Sequence, residues 1–356
     1  MDEDEAIGLQ YDNEVVITAD EDLDDPFSDR TSTTALSTKS VTASILDYRQ
    51  ENGRTYHAYK DGKYVIPNDE IESDRLDLQH NLFLLTFDGR LGSAPPNDPG
   101  ARVGRVLDVG TGTGIWATDF GDEHPEAEVL GFDLSATFPE FMPPNVKFEI
   151  DDLEEPWTYS RPFDYIHSRM MNGCIMNWDV YARKCFEQVS TLLHPNPLTL
   201  TLILRNSHLT PGGYAEFTEA TIIPQSDDGT LPPDSMIVKT ATLVVEAGKA
   251  VGRKVVEMPQ VRDALLRAGF VDVRVSQYKW PINTWPRDHK YKDIGMWAHE
   301  NVVSGWEGLC MATLTRIYGW SREEVLVAVA LCRRELMDRS IHAYFPLRYS
   351  IYARKP

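Results

Sequence analysis

The chain is 356 residues long, enough for one large α/β domain with extensions or for two small domains. Its 42% hydrophobic and 25% charged content is that of a soluble globular protein, and no apolar run approaches the length of a membrane span. A net charge of −20 argues against a nucleic-acid scaffold, the acidic start Met1–Glu5 against a secretory leader, and four cysteines without C-x-x-C spacing or nearby histidine clusters against a metal site.

Much of the charge is local. Residues 1–30 hold twelve acids against the single base Arg30, which leaves about −9 for everything else. Residues 1–40 carry too few apolar side chains to offset their ordering entropy, so a disordered acidic tail is expected there, with a docking segment as its functional alternative. From Val41 the texture becomes aromatic and polar. Asn52-Gly53 marks a turn, and Asn68-Asp69-Glu70 opens a helix carrying Ile71, Leu76, Leu78, Leu82, Phe83 and Leu85, with Asn68 as the expected N-cap. The stretch Asp74–Asn81 is unusually polar for a packing helix, which suits either a lid over a ligand or a solvated face. Pro95–Gly100 reads as a linker, so 41–100 is expected to form a lid or cap segment and 101–356 the main domain.

That domain opens on Arg105-Val-Leu-Asp-Val-Gly-Thr-Gly-Thr-Gly114. Val106, Leu107 and Val109 make a buried parallel strand, and Ile115, Trp116, Ala117 and Phe120 continue with helical spacing. The three glycines between them form a sharp turn that lets backbone approach a ligand at a helix N-terminus. A dinucleotide G-x-G-x-x-G would need glycine at Ile115, and no Lys-Ser or Lys-Thr follows to make a P-loop. What remains, Asp108-x-Gly110-x-Gly112-x-Gly114, resembles motif I of class I S-adenosylmethionine-dependent methyltransferases; there, Asp108 would meet the cofactor's amino group.

Glu128–Asp133 reads as the second strand, and Asp133 at its end is placed to accept two ribose hydroxyls. Asn145–Ile150 forms the third, leaving through Asp151-Asp152-Leu153, where an acid of this class of enzyme accepts the adenine amine. Phe163–His167 is the fourth, and its end borders the topological switch, so His167 is a candidate base and Arg169 a candidate carboxylate clamp. A helix from Trp178, a Gly212-Gly213 turn feeding strand five at Tyr214, a helix from Pro259 closed by Gly269, strand six at 271–278, a helical insertion at about 288–340 and a closing strand at 342–353 complete the chain.

Several blocks carry a closer likeness: Asn52–His57, Leu76–His80, Phe132–Ser135, Pro143–Phe148, Asp151–Trp157, Phe163–Arg169, Gly319–Ser321 and Tyr352–Pro356. From Val41 onward the sequence resembles the fungal LaeA-like methyltransferase family. The resemblance implies an α/β, Rossmann-like seven-stranded sheet with helices on both faces, an N-terminal helical lid and a helical insertion before the last strand. It implies S-adenosylmethionine as cofactor and a link to secondary metabolism, as a small-molecule enzyme or as a regulator working with velvet-type proteins. A small-molecule or protein acceptor, no direct nucleic-acid or membrane binding, no metal, and a cytoplasmic or nuclear setting are the matching expectations.

The candidate cofactor contacts are Asp108, Gly110, Thr111, Gly112, Gly114, Asp133, Leu134, Asp151, Asp152 and Leu153. Tyr59 and His80 are candidates for the acceptor side, with His167 and Arg169 as candidate catalytic residues. One departure is Leu192–Ser207, an apolar, strand-prone stretch standing where family members run directly into the Pro-Gly-Gly turn. Two origins stay open for it, an intron retained in the coding sequence or a tolerated surface insertion.

Overall fold

The computed structural model describes residues 17–19, 48–60, 65–187 and 208–356, without the side chains of residues 348 and 349. Nearly all of the expected acidic tail, and the whole of Leu192–Ser207, lie outside the described residues. The exception in the tail is Ile17–Ala19: Ala19 bridges to Pro286, and Ile17 and Ala19 pack against a hydrophobic cluster rather than standing free.

The core is a mixed sheet. Strands β3 (Arg105–Val109), β4 (Glu128–Asp133), β5 (Val146–Ile150), β6 (Phe163–Arg169) and β7 (Leu209–Glu219) run parallel in the order β5-β4-β3-β6-β7. β10 (Ala343–Arg354) then pairs antiparallel with β7 on one edge and with β9 (Val271–Pro281) on the other. The seven expected strands are all present; a two-residue β8 (Gln225–Ser226) adds an eighth beside the start of β10. β3 and β4 are buried almost throughout, as strands covered on both faces must be. The order reverses between β3 and β6, which opens a crevice above the ends of these two strands.

Helices cover both faces. α2 (Ile115–Glu123) follows the glycine turn and packs Trp116, Ala117 and Phe120 against Val106, Val129 and Tyr165. α3 (Trp178–Phe186) and α5 (Met258–Ala268) cover the other face with Tyr181, Cys185, Val261 and Leu265. Gly269 closes α5 in the left-handed conformation, as its sequence position predicts. Strand five differs from expectation. β7 starts at Leu209 and runs through Gly212-Gly213, because β10 continues past Arg354 and Lys355 exchanges backbone hydrogen bonds with both glycines.

A second layer stands over the sheet's C-terminal edge. A hairpin of β1 (Arg49–Glu51) and β2 (Arg54–Tyr56) turns at Asn52-Gly53, where both residues have positive φ. α1 (Glu70–Thr86) follows; its N-cap is Asp69, which accepts from Glu72 N, while Asn68 instead ties the hairpin and the loop after β4. α4 (Met236–Ala250) and the long pair α6 (His289–Tyr318) and α7 (Arg322–Met337) form the expected insertion and its support. Leu82 and Phe83 of α1, with Phe87 at its C-cap, share one hydrophobic cluster with Trp306, Met311 and Val329 of the insertion and Trp280 of β9, so α1 docks on the insertion and on the β9 edge of the sheet.

Candidate functional site

The glycine turn is shaped by positive φ at Gly110, Gly112 and Gly114, of 69°, 59° and 80°. A Cβ at Gly110 would meet the Met171 thioether, so a larger residue there must displace that side chain and also bear the strain of the positive φ. Gly110 N and Thr111 N both donate to Phe132 O at 3.0 Å, which binds the turn to the end of β4. From that end Asp133 reaches back: its carboxylate accepts from Gly112 N at 3.0 Å and from Ser135 N at 3.1 Å. Burial pushes its pKa above the ordinary carboxylate value, against the pull of those N–H donors. A carboxylate offers about four acceptor positions, so it retains capacity for a ligand.

Above the ends of β3 to β6 lies a cleft with about 980 Å³ of empty space, its mouth included. Seven of the ten expected cofactor residues line it: Gly110, Gly112, Asp133, Leu134, Asp151, Asp152 and Leu153. Asp151 and Asp152 sit together at the exit of β5, each also capping a backbone N–H of its own loop, Asp152 N at 2.8 Å and Glu154 N at 3.0 Å.

The other three turn away from the cleft. Asp108 is 3% exposed, with one oxygen 2.7 Å from His167 Nδ1 and the other accepting from Thr111 Oγ1 at 2.5 Å. Thr111 is thereby committed to Asp108. Gly114 serves as the N-cap of α2, pressed against Phe148. For Asp108 the reason is the pleat. Asp108 points to the side of β3 that α2 covers, and its charge is satisfied there by an internal network instead of by a ligand.

His167, the candidate base, belongs to the same network. Its ring is 2% exposed and lies flat on Trp116, with centroids 3.7 Å apart and planes 8° from parallel. It is absent from the lining of the cleft. Tyr59 also stands outside the cleft lining, beside Lys60 and its ion pair with Glu155 at 2.5 Å. His80, expected on the acceptor side, is 2% exposed and hydrogen-bonded between Arg169 and Asp119. Arg169 itself does line the cleft, with its guanidinium 5.0 Å over the Phe83 ring. Desolvation lowers its pKa to about 10, opposed by the charges of Asp108, Asp119 and Asp77.

α1 roofs the cleft through Glu72, Ser73 and Leu76, with Pro67 and Asn68 just before it. This explains its polarity: Glu72, Gln79 and His80 are buried against the site and its support, not solvated. Thr113 Oγ1 donates to Asp77 at 2.6 Å and pins the roof to the glycine turn. On the far wall are Met170, Met171, Cys174 and Arg253. Burial pushes the Cys174 thiol up to about 12, so it is no nucleophile near neutrality. Sequence reasoning missed Arg253 altogether, since it sits in an irregular stretch between α4 and α5 that carries no motif. Glu72, Ser73 and Leu76 were legible only as a polar helix.

Among the described residues no helix is long and apolar enough to cross a membrane. The family model described as "Methyltransferase domain" matches residues 78–275. The chain is 37% identical over 336 residues to methyltransferase PytC of Aspergillus terreus, covering 94% of this chain and 95% of that protein. It is 40% identical over 299 residues to the secondary metabolism regulator LAE1 of Cochliobolus heterostrophus, covering 83% and 91%. It is also 32% identical over 317 residues to the protein-methionine methyltransferase LaeA of Emericella nidulans, covering 87% and 77%. The chain belongs to the methyltransferase-domain family, within its LaeA-like, S-adenosylmethionine-dependent class.

Proposed function

We propose that this chain methylates an acceptor connected with fungal secondary metabolism, in the cleft between α1 and the ends of β3 to β6. The observation that carries the reading is Asp133: an acid at the tip of β4, hydrogen-bonded to the glycine turn, flanked by the Asp151-Asp152 pair. The cleft fits the cofactor. Asp133 accepts the ribose hydroxyls, one acid of the pair takes the adenine amine, Leu134 and Leu153 cover the base, and Gly110 and Gly112 allow close backbone approach. Bound there, S-adenosylmethionine supplies a methyl group on a sulfonium, already a good electrophile.

The protein's own task is then to orient the acceptor and exclude water. Among the described residues, the side chains lining the cleft include no His, Lys or Tyr. Of its carboxylates, Glu72 is held by Arg75 at 2.7 Å. An acceptor that is nucleophilic without deprotonation suits such a site: a thioether, as in the name of the Emericella relative, or a neutral amine. Residues 41–100 serve as the lid, and the chain works in the cytoplasm or nucleus.

The test is calorimetric titration with S-adenosylmethionine, beside Asp133→Ala and the milder Asp133→Asn. Binding by wild type, abolished in the first and weakened in the second while both stay folded, supports the site. A folded wild type that gives no heat of binding would sink it. A second reading, a cofactor-binding regulatory subunit of a velvet-type complex, is favoured by the relative named as a regulator. Stable co-purification with such a partner, with no methyl transfer to metabolite or protein extracts, decides for that reading.

A further inference from the structure

Arg169 is a charge without a counter-charge. Its guanidinium lies in the cleft wall, Nη2 is 3.1 Å from His80 Nδ1, and its flat face covers Phe83. Among the described residues no carboxylate lies within ion-pair distance of it, although Asp108, Asp119 and Asp77 are near enough to bias its charge. A guanidinium withdrawn from water in this way is costly unless a ligand supplies the anion.

The protonation state of its neighbour is fixed by chemistry. Arginine only donates, so His80 Nδ1 must carry the lone pair and its proton must be on Nε2, 2.9 Å from Asp119 Oδ2. The result is a chain running from the Asp119 carboxylate through neutral His80 to Arg169. Burial lowers the His80 pKa and so favours this neutral form, against the pull of Asp119. Three elements supply it, α2, α1 and β6, and none has another visible use for it.

Position along the sheet identifies the anion. The adenine acids are at the end of β5 and the ribose acid at the end of β4, one strand further along. β3 with its glycines comes next and β6 with Arg169 last. At about 4.8 Å per strand this is roughly 14 Å, a span for an adenosine bearing an extended amino-acid chain. The far end of that chain carries a carboxylate.

Resting on the cofactor assignment above, we propose that Arg169 binds the methionine carboxylate of the cofactor, and that His80, oriented by Asp119, is the positioning residue that aims the guanidinium. The guanidinium nitrogens not bonded to His80 are left to form the contact, and the His80 bond holds the plane of the fork.

The test compares two ligands, S-adenosylhomocysteine and 5′-methylthioadenosine, which lacks the amino-acid end. Arg169→Met is expected to weaken S-adenosylhomocysteine on the order of ten- to a hundredfold and to leave methylthioadenosine unchanged. His80→Phe should give a smaller loss of the same selectivity, and His80→Asn, whose Oδ1 replaces the Nδ1 acceptor, should restore it. Asp133→Ala serves as the control, weakening both ligands through the ribose. If Arg169→Met spares both ligands, the carboxylate is held elsewhere and the proposal fails; the guanidinium then faces the acceptor. Equal losses for both ligands, or no recovery in His80→Asn, reduce the relay to a structural role and also overturn it. A folded wild type that binds neither ligand rejects the cofactor site itself, a separate result.

Discussion

At the scale of single residues, the same backbone angle has different costs in different surroundings. Gly110 and Gly212 both have positive φ, 69° and 81°, but only Gly110 has a side chain, Met171, where a Cβ would go. Gly212→Ala is expected to cost about 1–2 kcal/mol of stability, the backbone penalty alone. Gly110→Ala should cost more and also abolish cofactor binding, as thermal unfolding and calorimetry will report together. Glu219 makes a different point. It is 1% exposed, accepts from Met171 N at 3.0 Å and Asn172 N at 2.8 Å, and so anchors the loop carrying the cleft wall. Desolvation raises its pKa from 4.5 to about 8, against the pull of the two N–H donors. Between those values the folded state binds more protons than the unfolded one, so stability falls as pH rises across this window. Urea midpoints at pH 6 and pH 8.5 should differ in wild type. In Glu219→Gln this part of the slope should vanish, leaving a pH-independent loss for the disturbed hydrogen bonds. Neither behaviour was legible in the sequence, where Glu219 is one acid among many.

Elements were legible where period and punctuation agreed. The spacing Ser321-Arg-Glu-Glu324 is that of a capping box, and the box is present, with Ser321 Oγ accepting from Glu324 N at 3.1 Å and Glu324 Oε2 from Ser321 N at 2.8 Å. Ser321→Ala should lower stability by about 1 kcal/mol in a thermal melt without changing cofactor affinity. α1 was harder, because an amphipathic pattern presumes one apolar core and one solvated face. Its polar face is instead turned to the cleft and to α6. Arg75 pairs with Glu72 at 2.7 Å and donates to Asn301 of α6 at 2.7 Å, both ion-pair partners being nearly buried. Arg75→Met strands the Glu72 charge and should destabilise by about 3 kcal/mol. The double change with Glu72→Leu should recover most of that in urea unfolding, since a buried apolar pair replaces a buried ion pair. Recovery would show that the clip sets lid geometry more than stability.

At the scale of the whole molecule, roof and insertion form one cluster that also takes in Trp280 of β9 and Phe345 and Leu347 of β10, while two further clusters lie against the rest of the sheet. Cofactor binding should slow amide hydrogen exchange at 67–77, 110–114, 133–137 and 151–154, which supply cleft lining, while leaving α7, which supplies none, unchanged, a pattern that mass spectrometry resolves. The strands β3 to β6, the glycine turn and the acids Asp133, Asp151 and Asp152 were all readable in the sequence, because each rests on local chemistry: an apolar run, a glycine-only angle, an acid at a strand end. What the sequence could not decide was direction. Asp108 and His167 have the residue types and spacing of a site, yet the pleat of β3 and β6 turns them towards Trp116 and into each other. Arg169, two residues after His167 and so on the same face of β6, meets the cleft because it is the last residue of the strand. His80 and Asp119 come from separate helices and acquire a role only where these converge on that guanidinium. Motif chemistry is local and was determined by the sequence alone; the face on which each side chain emerges, and what distant residue supports it, follow from packing and were decided by the tertiary structure.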